Sequence, residues 1–370
     1  MREWELCIER LRFLKSCVDK YMNHEFLEDM YSDRFGKILV TGGAGFIGSA
    51  LIYELNRRGY ENILVSDYLG TDDKFLNLVG LKFSDYFEAD TLLNLVKNND
   101  KKVEDITCIF HLGACAVTTE NNASYLIHNN YEYTKELSHF ADEKHIRFVY
   151  ASSAATYGDG SNGMSDDVFP NTKIRQLNMY AYSKQLFDLY AAKNNLHVYG
   201  MKYFNVFGPN EYHKGNMRSM VLKAYQSILE TGHVNLFSSD RPEYKDGKQL
   251  RDFLYVKDAV DMTIFLGQVN STVNDKPTYG IYNLGSGTAS TWIELVTPIF
   301  EAVNIKPDIR FIEMPSELKN KYQYYTLANI SKLRSIGYDK EITPLKDAVT
   351  DYVKNYLMQG CKRLAESNID

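Results

Sequence analysis

Lys37-Ile-Leu-Val-Thr-Gly-Gly-Ala-Gly-Phe-Ile-Gly-Ser49 joins an apolar run, a glycine-rich turn and the start of an apolar helix, in that order. Lys37 to Thr41 reads as a buried strand, and the helix continues through Leu51, Ile52 and Leu55. Gly42, Gly45 and Gly48 are spaced for three tasks: a sharp turn, close approach of backbone to a pyrophosphate, and close packing of helix on strand. The free amides and positive end of the helix then favour phosphate. The next apolar run, Asn62-Ile-Leu-Val-Ser-Asp67, ends on an acid, as a site for adenosine ribose hydroxyls requires. A ligand-free turn can carry the same glycines. It does not need strand, turn, helix and a strand-end acid together, so the pattern predicts a dinucleotide site.

From Lys37 onward such runs alternate with helical patterns. Ile109-Phe-His111, Arg147-Phe-Val-Tyr-Ala151 and Val198-Tyr-Gly-Met-Lys-Tyr203 are further strand candidates. Strand, crossover helix, strand predicts an α/β fold, a Rossmann doubly wound parallel sheet covered on both faces. Beyond residue 204 the alternation loosens. The chain therefore divides into a Rossmann domain over 36–204 and, over 205–370, a smaller C-terminal substrate-binding lobe whose strands and helices partly return to the first domain. A length of 370 residues suits two lobes. Ser239 to Leu250 is polar and reads as an exposed loop. Ahead of the fold, Trp4, Cys7, Leu11, Leu14, Val18 and Tyr21 recur at helical spacing, predicting an amphipathic helical extension over 1–35 that packs on its own subunit or on a second copy.

Composition excludes several function classes. A net charge of −6 argues against nucleic acid or an anionic membrane as partner. No run approaches the roughly 20 apolar residues of a membrane helix, and acids interrupt the start too often for a signal peptide. The five cysteines, Cys7, Cys17, Cys108, Cys115 and Cys361, are scattered, which suits reduced thiols in a cytoplasmic protein. His111 and Cys115 lack a third partner at metal-site spacing, so no metal is expected.

Two constellations carry the chemistry. Leu112, Gly113, Ala114, Cys115 and Ala116 follow a strand and are small enough for a cofactor to pass over them. Tyr180-Ala-Tyr-Ser-Lys184 puts a phenol and an ammonium at i and i+4 on one helix face. Lys184 and an oxidised nicotinamide both favour the phenolate, bringing Tyr180 toward use as an acid/base at neutral pH. Tyr182, at i+2 to Lys184, points elsewhere. Ser153, in the Ser152-Ser-Ala-Ala-Thr-Tyr157 run, falls at the carboxyl edge of the sheet and would hydrogen-bond the reacting oxygen.

With these residues assembled, the chain resembles the extended short-chain dehydrogenases from Lys37 to its end, and within them the ADP-L-glycero-D-manno-heptose 6-epimerases. The matching runs are Gly113-Ala-Cys115, Thr118-Thr-Glu120, Asn129-Asn-Tyr131, Ala151-Ser-Ser-Ala-Ala-Thr-Tyr-Gly158, Tyr203-Phe-Asn-Val-Phe-Gly-Pro209, His213-Lys-Gly215, Arg251-Asp-Phe253 and Lys321-Tyr-Gln323. The resemblance implies inversion at carbon 6 of an ADP-heptose used in lipopolysaccharide cores, through transient oxidation and re-reduction by a bound cofactor. It implies Tyr180 and Lys214 as the two acid/bases. It also implies Phe46, Ile47, Asp67, Tyr68, Lys74, Asn129, Lys184, Val206 and Lys214 around the cofactor. Ser153, Asn205, Asn216, Lys223, Phe237, Arg251 and Tyr322 would surround the substrate, with Arg251 on its pyrophosphate. A homo-oligomer is implied as well. Asn216 stands in place of a serine, Lys223 of a histidine, Tyr68 of an asparagine and Ala89 of a second phosphate-binding lysine, and the loop before Arg251 is longer. The cofactor is NADP if Lys74 meets a 2′-phosphate and NAD if Asp67 meets the ribose alone. A 4-epimerase or other redox enzyme on another nucleotide sugar is the alternative. Dehydration is disfavoured because Ala154 and Ala155 replace the needed acids. A redox sensor is disfavoured because Ser153, Tyr180 and Lys184 are all kept.

Overall fold

The computed structural model describes residues 35–167, 174–319 and 322–368. The helical extension expected over 1–35 lies almost wholly outside these residues. From Phe35, which meets the Tyr60 and Phe110 rings edge-on, the chain enters strand β1 (Lys37–Thr41). It continues through α1 (Phe46–Arg57), β2 (Ile63–Asp67), β3 (Asp85–Glu88), α2 (Ala89–Lys97), β4 (Ile106–His111), α3 (Tyr133–Glu143), β5 (Arg147–Ser153), α4 (Met179–Lys193) and β6 (Val198–Tyr203). The second half contributes β7 (Asn205–Phe207), α5 (Met220–Thr231), β8 (Val234–Phe237), β9 (Leu250–Tyr255), α6 (Val256–Gln268), β10 (Gly280–Leu284), β11 (Ala289–Thr291), α7 (Trp292–Ala302), β12 (Ile309–Ile312) and α8 (Leu345–Tyr352).

Seven strands form one parallel sheet in the order β10-β6-β5-β4-β1-β2-β3. The order reverses at β1, and there the crevice opens at the strand carboxyl ends. Alternation along β1 explains the two covered faces: Ile38 and Val40 pack with Leu51, Leu55 and Ile264, while Leu39 packs with Leu92, Leu137 and Phe187 on the other side. The seventh strand, β10, comes from the second half of the chain, and α6 from that half shares the α1 face. The smaller lobe holds a β11-β9-β7 sheet and a β8-β12 pair. Its helix α7 begins with a capping box, Thr291 with Glu294, a device worth about 1 kcal/mol. Ser239 to Gln249 lies outside regular strands, as its polarity predicts. Among the described residues, no helix is long and apolar enough to cross a membrane.

Candidate active site

The turn after β1 is held from two sides. Gly42 has φ +68, and a Cβ there would lie 2.6 Å from the Gly113 amide nitrogen, so the turn can abut the loop after β4 only as glycine. A Cβ on Gly48 would overlap the Gly42 carbonyl oxygen. No side chain caps the start of α1, which leaves its positive end facing the crevice. Thr41 links the strand ends: its hydroxyl accepts from the Gly113 amide at 3.1 Å and pairs with His111 Nδ1 at 2.7 Å. The second His111 nitrogen meets the Thr134 hydroxyl at 2.9 Å. Burial pushes the His111 pKa down to about 3, so it is a neutral strut between elements.

A cleft of about 710 Å³ runs from this turn into the smaller lobe. It gathers Gly42, Gly45, Phe46, Ile47, Gly48, Asp67 and Lys74 at one end, and Leu112, Gly113, Ala114 and Ala116 along the middle. Ser153, Tyr180, Lys184, Asn205, Val206 and Lys214 line it further on. The bare glycine cradle, the uncapped helix start and the length of the cleft fit a dinucleotide.

At the adenosine end, Asp67 is already engaged. Its Oδ2 accepts from the Ala44 and Gly45 amides at 2.9 and 3.1 Å, and its Oδ1 from the Tyr68 amide at 2.8 Å. Lys74 Nζ pairs with that same Oδ1 at 2.9 Å. Tyr68 turns out of the cleft, its hydroxyl donating to Asp90 at 2.6 Å. Asn129 also lies away from the cleft, lining a separate hollow with Tyr68 and donating to the Tyr125 carbonyl. Its neighbour Asn130 turns inward instead. The Asn130 amide brackets Cys115, accepting from its N–H at 2.8 Å and donating to its carbonyl at 3.0 Å, and donates to Ser183.

The reacting end is built on β5 and α4. Asn178 caps α4 by accepting from the Ala181 amide at 2.8 Å, which sets Tyr180 in the first turn. Ser153, whose hydroxyl accepts from the Ala155 amide at 3.1 Å, lines the cleft with the Tyr180 phenol. Burial raises the Tyr180 pKa, and the Ser153 hydroxyl acts in the opposite direction. The protein alone therefore holds the phenol protonated; the expected lowering invokes an oxidised nicotinamide as well as Lys184. Lys184 Nζ donates to the Ala151 carbonyl at 2.8 Å. Burial brings Lys184 down to about 8, and Asp188 acts in the opposite direction. Tyr182, as its spacing predicts, points outward and is exposed.

Lys214 arrives from a short 3₁₀ stretch, Tyr212–Met217, and its ammonium stands 5.1 Å from the centre of the Phe46 ring. Burial lowers its pKa, while the buried Glu211 carboxylate favours its charge. His213 is held at Nδ1 by the Asn77 amide, 3.2 Å away, and burial lowers its pKa to about 4. Asn77, which sequence reasoning did not single out, also donates to the Ala44 and Asn210 carbonyls and accepts from Arg363. It ties the glycine turn, the Lys214 segment and the C-terminal chain together.

Arg251, Tyr322 and Phe237 form a further cluster in the smaller lobe, near the Gln323 and Thr326 wall of the cleft. The Arg251 guanidinium lies 4.8 Å from the Tyr322 ring centre and 5.8 Å from that of Trp292. Phe237 meets Tyr322 edge-on, and Trp292 Nε1 donates to the Tyr322 hydroxyl at 2.7 Å. Arg251 is buried, and its side chain donates to the Leu250 carbonyl. That leaves donors for an anionic ligand. Asn205 lines the cleft and donates to the Asp252 carbonyl. Asn216 and Lys223 are exposed and bonded to each other, Lys223 Nζ donating to the Asn216 carbonyl at 2.7 Å. They do not reach the cleft wall.

A family model described as the NAD dependent epimerase/dehydratase family matches residues 38–285. The chain belongs to this family. The ADP-L-glycero-D-manno-heptose-6-epimerase of Nitratidesulfovibrio vulgaris is 47% identical over 321 residues, 86% of this chain and 97% of the relative. The enzyme of that name from Fusobacterium nucleatum is 45% identical over 331 residues, covering 86% and 98%. Among solved structures, the Helicobacter pylori ADP-L-glycero-D-manno-heptose-6-epimerase aligns with a TM-score of 0.70 at 26% identity, covering 86% of this chain and 95% of its own. The resemblance carried by the His213-Lys-Gly215 and Ser152 to Tyr157 runs thus agrees with the whole-chain comparisons.

Proposed function

We propose that this chain is an isomerase that inverts carbon 6 of an ADP-glycero-manno-heptose, D-glycero to L-glycero, in making lipopolysaccharide core precursor. The observation that carries the reading is the convergence of Tyr180, Ser153, Lys184 and Lys214 on the cleft that holds the glycine cradle. The naming of relatives at 45 to 47% identity over most of the chain supports the substrate.

Gly42, Gly45, Gly48 and the start of α1 would hold the pyrophosphate of the cofactor, and Lys184 the nicotinamide ribose. When bound, a nicotinamide supplies a reversible hydride acceptor beside the sugar carbon. The positive charge of that nicotinamide, together with Lys184, would oppose the effect of burial on Tyr180, and as phenolate Tyr180 takes the hydroxyl proton while the substrate becomes a ketone, with Ser153 donating to the same oxygen. The ketone turns over in the cleft, and Lys214 delivers a proton to its oxygen in the second orientation. One residue gains a proton and the other loses one, so solvent exchange resets both. Arg251 would meet the substrate diphosphate and Phe237, Trp292 and Tyr322 its nucleotide. We assign NADP as the cofactor, with NAD the weaker ligand. Both Asp67 oxygens are occupied by backbone amides and Lys74, so the carboxylate is poorly placed to accept from a 2′-hydroxyl, while the Lys74 ammonium stands ready for a 2′-phosphate. We also place the protein in the cytoplasm as a homo-oligomer. The free cysteines Cys108, Cys115 and Cys361 suit a reducing compartment.

The test is to incubate the purified chain with ADP-heptose epimers and, separately, with UDP-sugars, and to read the products by NMR. Interconversion of the ADP-heptoses is expected. Conversion of UDP-glucose without ADP-heptose would instead make the chain a 4-epimerase.

A further inference from the structure

Tyr180, Lys184 and Asp188 stand at i, i+4 and i+8 of α4 and share one face. The first two reach the cleft, while Asp188 lies beneath it, 0% exposed. Three donors converge on its carboxylate: the Tyr150 hydroxyl at 2.8 Å, the Ser152 hydroxyl at 2.7 Å and Lys202 Nζ at 2.8 Å. Lys202, on β6 and 3% exposed, also donates to the Thr156 hydroxyl, which donates in turn to the Ser153 carbonyl at 2.6 Å. The network thus runs from the helix that carries Tyr180 and Lys184 to the strand end that carries Ser153. A buried ion pair gives little net stability compared with apolar side chains of similar size. Its placement under both halves of the reacting end calls for another account.

We propose that Asp188 and Lys202 are a positioning pair that sets the charge of Lys184 and fixes the strand end bearing Ser153. This rests on the role given to Lys184 above. The groups facing Lys184 are Asp188 and Tyr180 on its own helix, His111 on β4, Cys115 on the following loop, and the Ala151 carbonyl on β5. His111 is neutral, so Asp188 is the carboxylate that opposes the loss of charge that burial imposes on Lys184. Asp188 itself is faced by Tyr150, Ser152 and Tyr157 from β5 and its end and by Lys202 from β6. Lys202 takes up part of the Asp188 charge. The two partners therefore act on Lys184 in opposite directions.

That opposition separates positioning from mere stability. A Lys184 pKa lowered by burial means that the ammonium is present below that value and lost as pH rises through it. In Asp188→Asn the alkaline limb of kcat moves down by about one pH unit, the size expected for removing a neighbouring charge. In Lys202→Met the undivided Asp188 charge moves the limb up. General loosening would depress kcat in both variants without opposite displacements. Should Asp188→Asn fail to fold, Asp188→Asn with Lys202→Met removes both members of the buried pair together, so that neither is left without its partner, and its limb also moves down. The experiment is kcat against pH for the full chain and these variants, with ¹³C NMR titration of Lys184, assigned through Lys184→Ala. The NMR arm reads Lys184 without turnover, so it remains informative if no nucleotide sugar is converted. Opposite shifts of the midpoint support the pair; an unchanged midpoint, or shifts in one direction, overturn it.

Discussion

Tyr180 and Lys214 reach the same cleft from two very different kinds of chain. Tyr180 opens a 15-residue helix, capped by Asn178 and packed on β5 and β6 over a buried hydrogen-bond network. Lys214 sits in an irregular stretch where Gly215 takes φ 51 and ψ −124. Its position depends on scattered ties: Asn77 to His213, Tyr212 to the Lys362 carbonyl at 2.9 Å, and Glu211 to the Ser219 hydroxyl at 2.6 Å. A helix fixes a side chain through many repeated local bonds. A loop does so through a few long-range ones, and each of those is separately breakable.

Substitutions can sharpen or break this contrast. Removing the phenol should have the largest effect. Tyr180→Phe is expected to lower kcat by about 10³-fold, within the range of general acid/base contributions, while cofactor affinity stays near wild type by fluorescence titration. Unchanged turnover would remove Tyr180 from the chemistry. Lys214→Met should follow, with a loss of about 10²-fold or more in kcat; a loss of only a few-fold would point to a one-base mechanism. Asn77→Ala tests the loop ties themselves. It should cut kcat by about 10-fold through misplacement of Lys214 and lower stability by roughly 1–3 kcal/mol in urea unfolding. Equal damage to Tyr180-dependent steps would erase the distinction between the two regions. Lys74→Ala should be mildest for turnover at saturating cofactor. It is expected to weaken NADP binding by about 10-fold, the scale of a charge-assisted hydrogen bond, and to leave NAD binding nearly unchanged by calorimetry.

The same contrast decides what the sequence reveals. β1 and β6 coincide with their predicted spans, Lys37–Thr41 and Val198–Tyr203, because doubly buried parallel strands are continuous apolar runs. The edge strand β3, Asp85–Glu88, has one buried residue and therefore no such run. β10 joins β6 from far along the chain, a pairing that local pattern cannot encode. Asn129 and Asn130 are adjacent, and the stretch Ile127–Glu132 is π-helical. A 3.6-residue period cannot then say which asparagine faces the Cys115 loop. Asn77 carries no local signal, because its partners lie 33, 133, 136 and 286 residues away. Lys74 was legible as a cation near Asp67, but its ion pair was not, since a loop sets that distance.

The central claim, transient oxidation at carbon 6 between two acid/bases, is tested most directly with isotope. ADP-heptose carrying deuterium at carbon 6 is incubated with the purified chain and the epimerised product is examined by NMR. The account predicts inversion with deuterium retained at carbon 6, because hydride leaves for the bound cofactor and returns from it without exchanging with water. Inversion with loss of that deuterium to solvent, or no change of configuration at carbon 6, would contradict it.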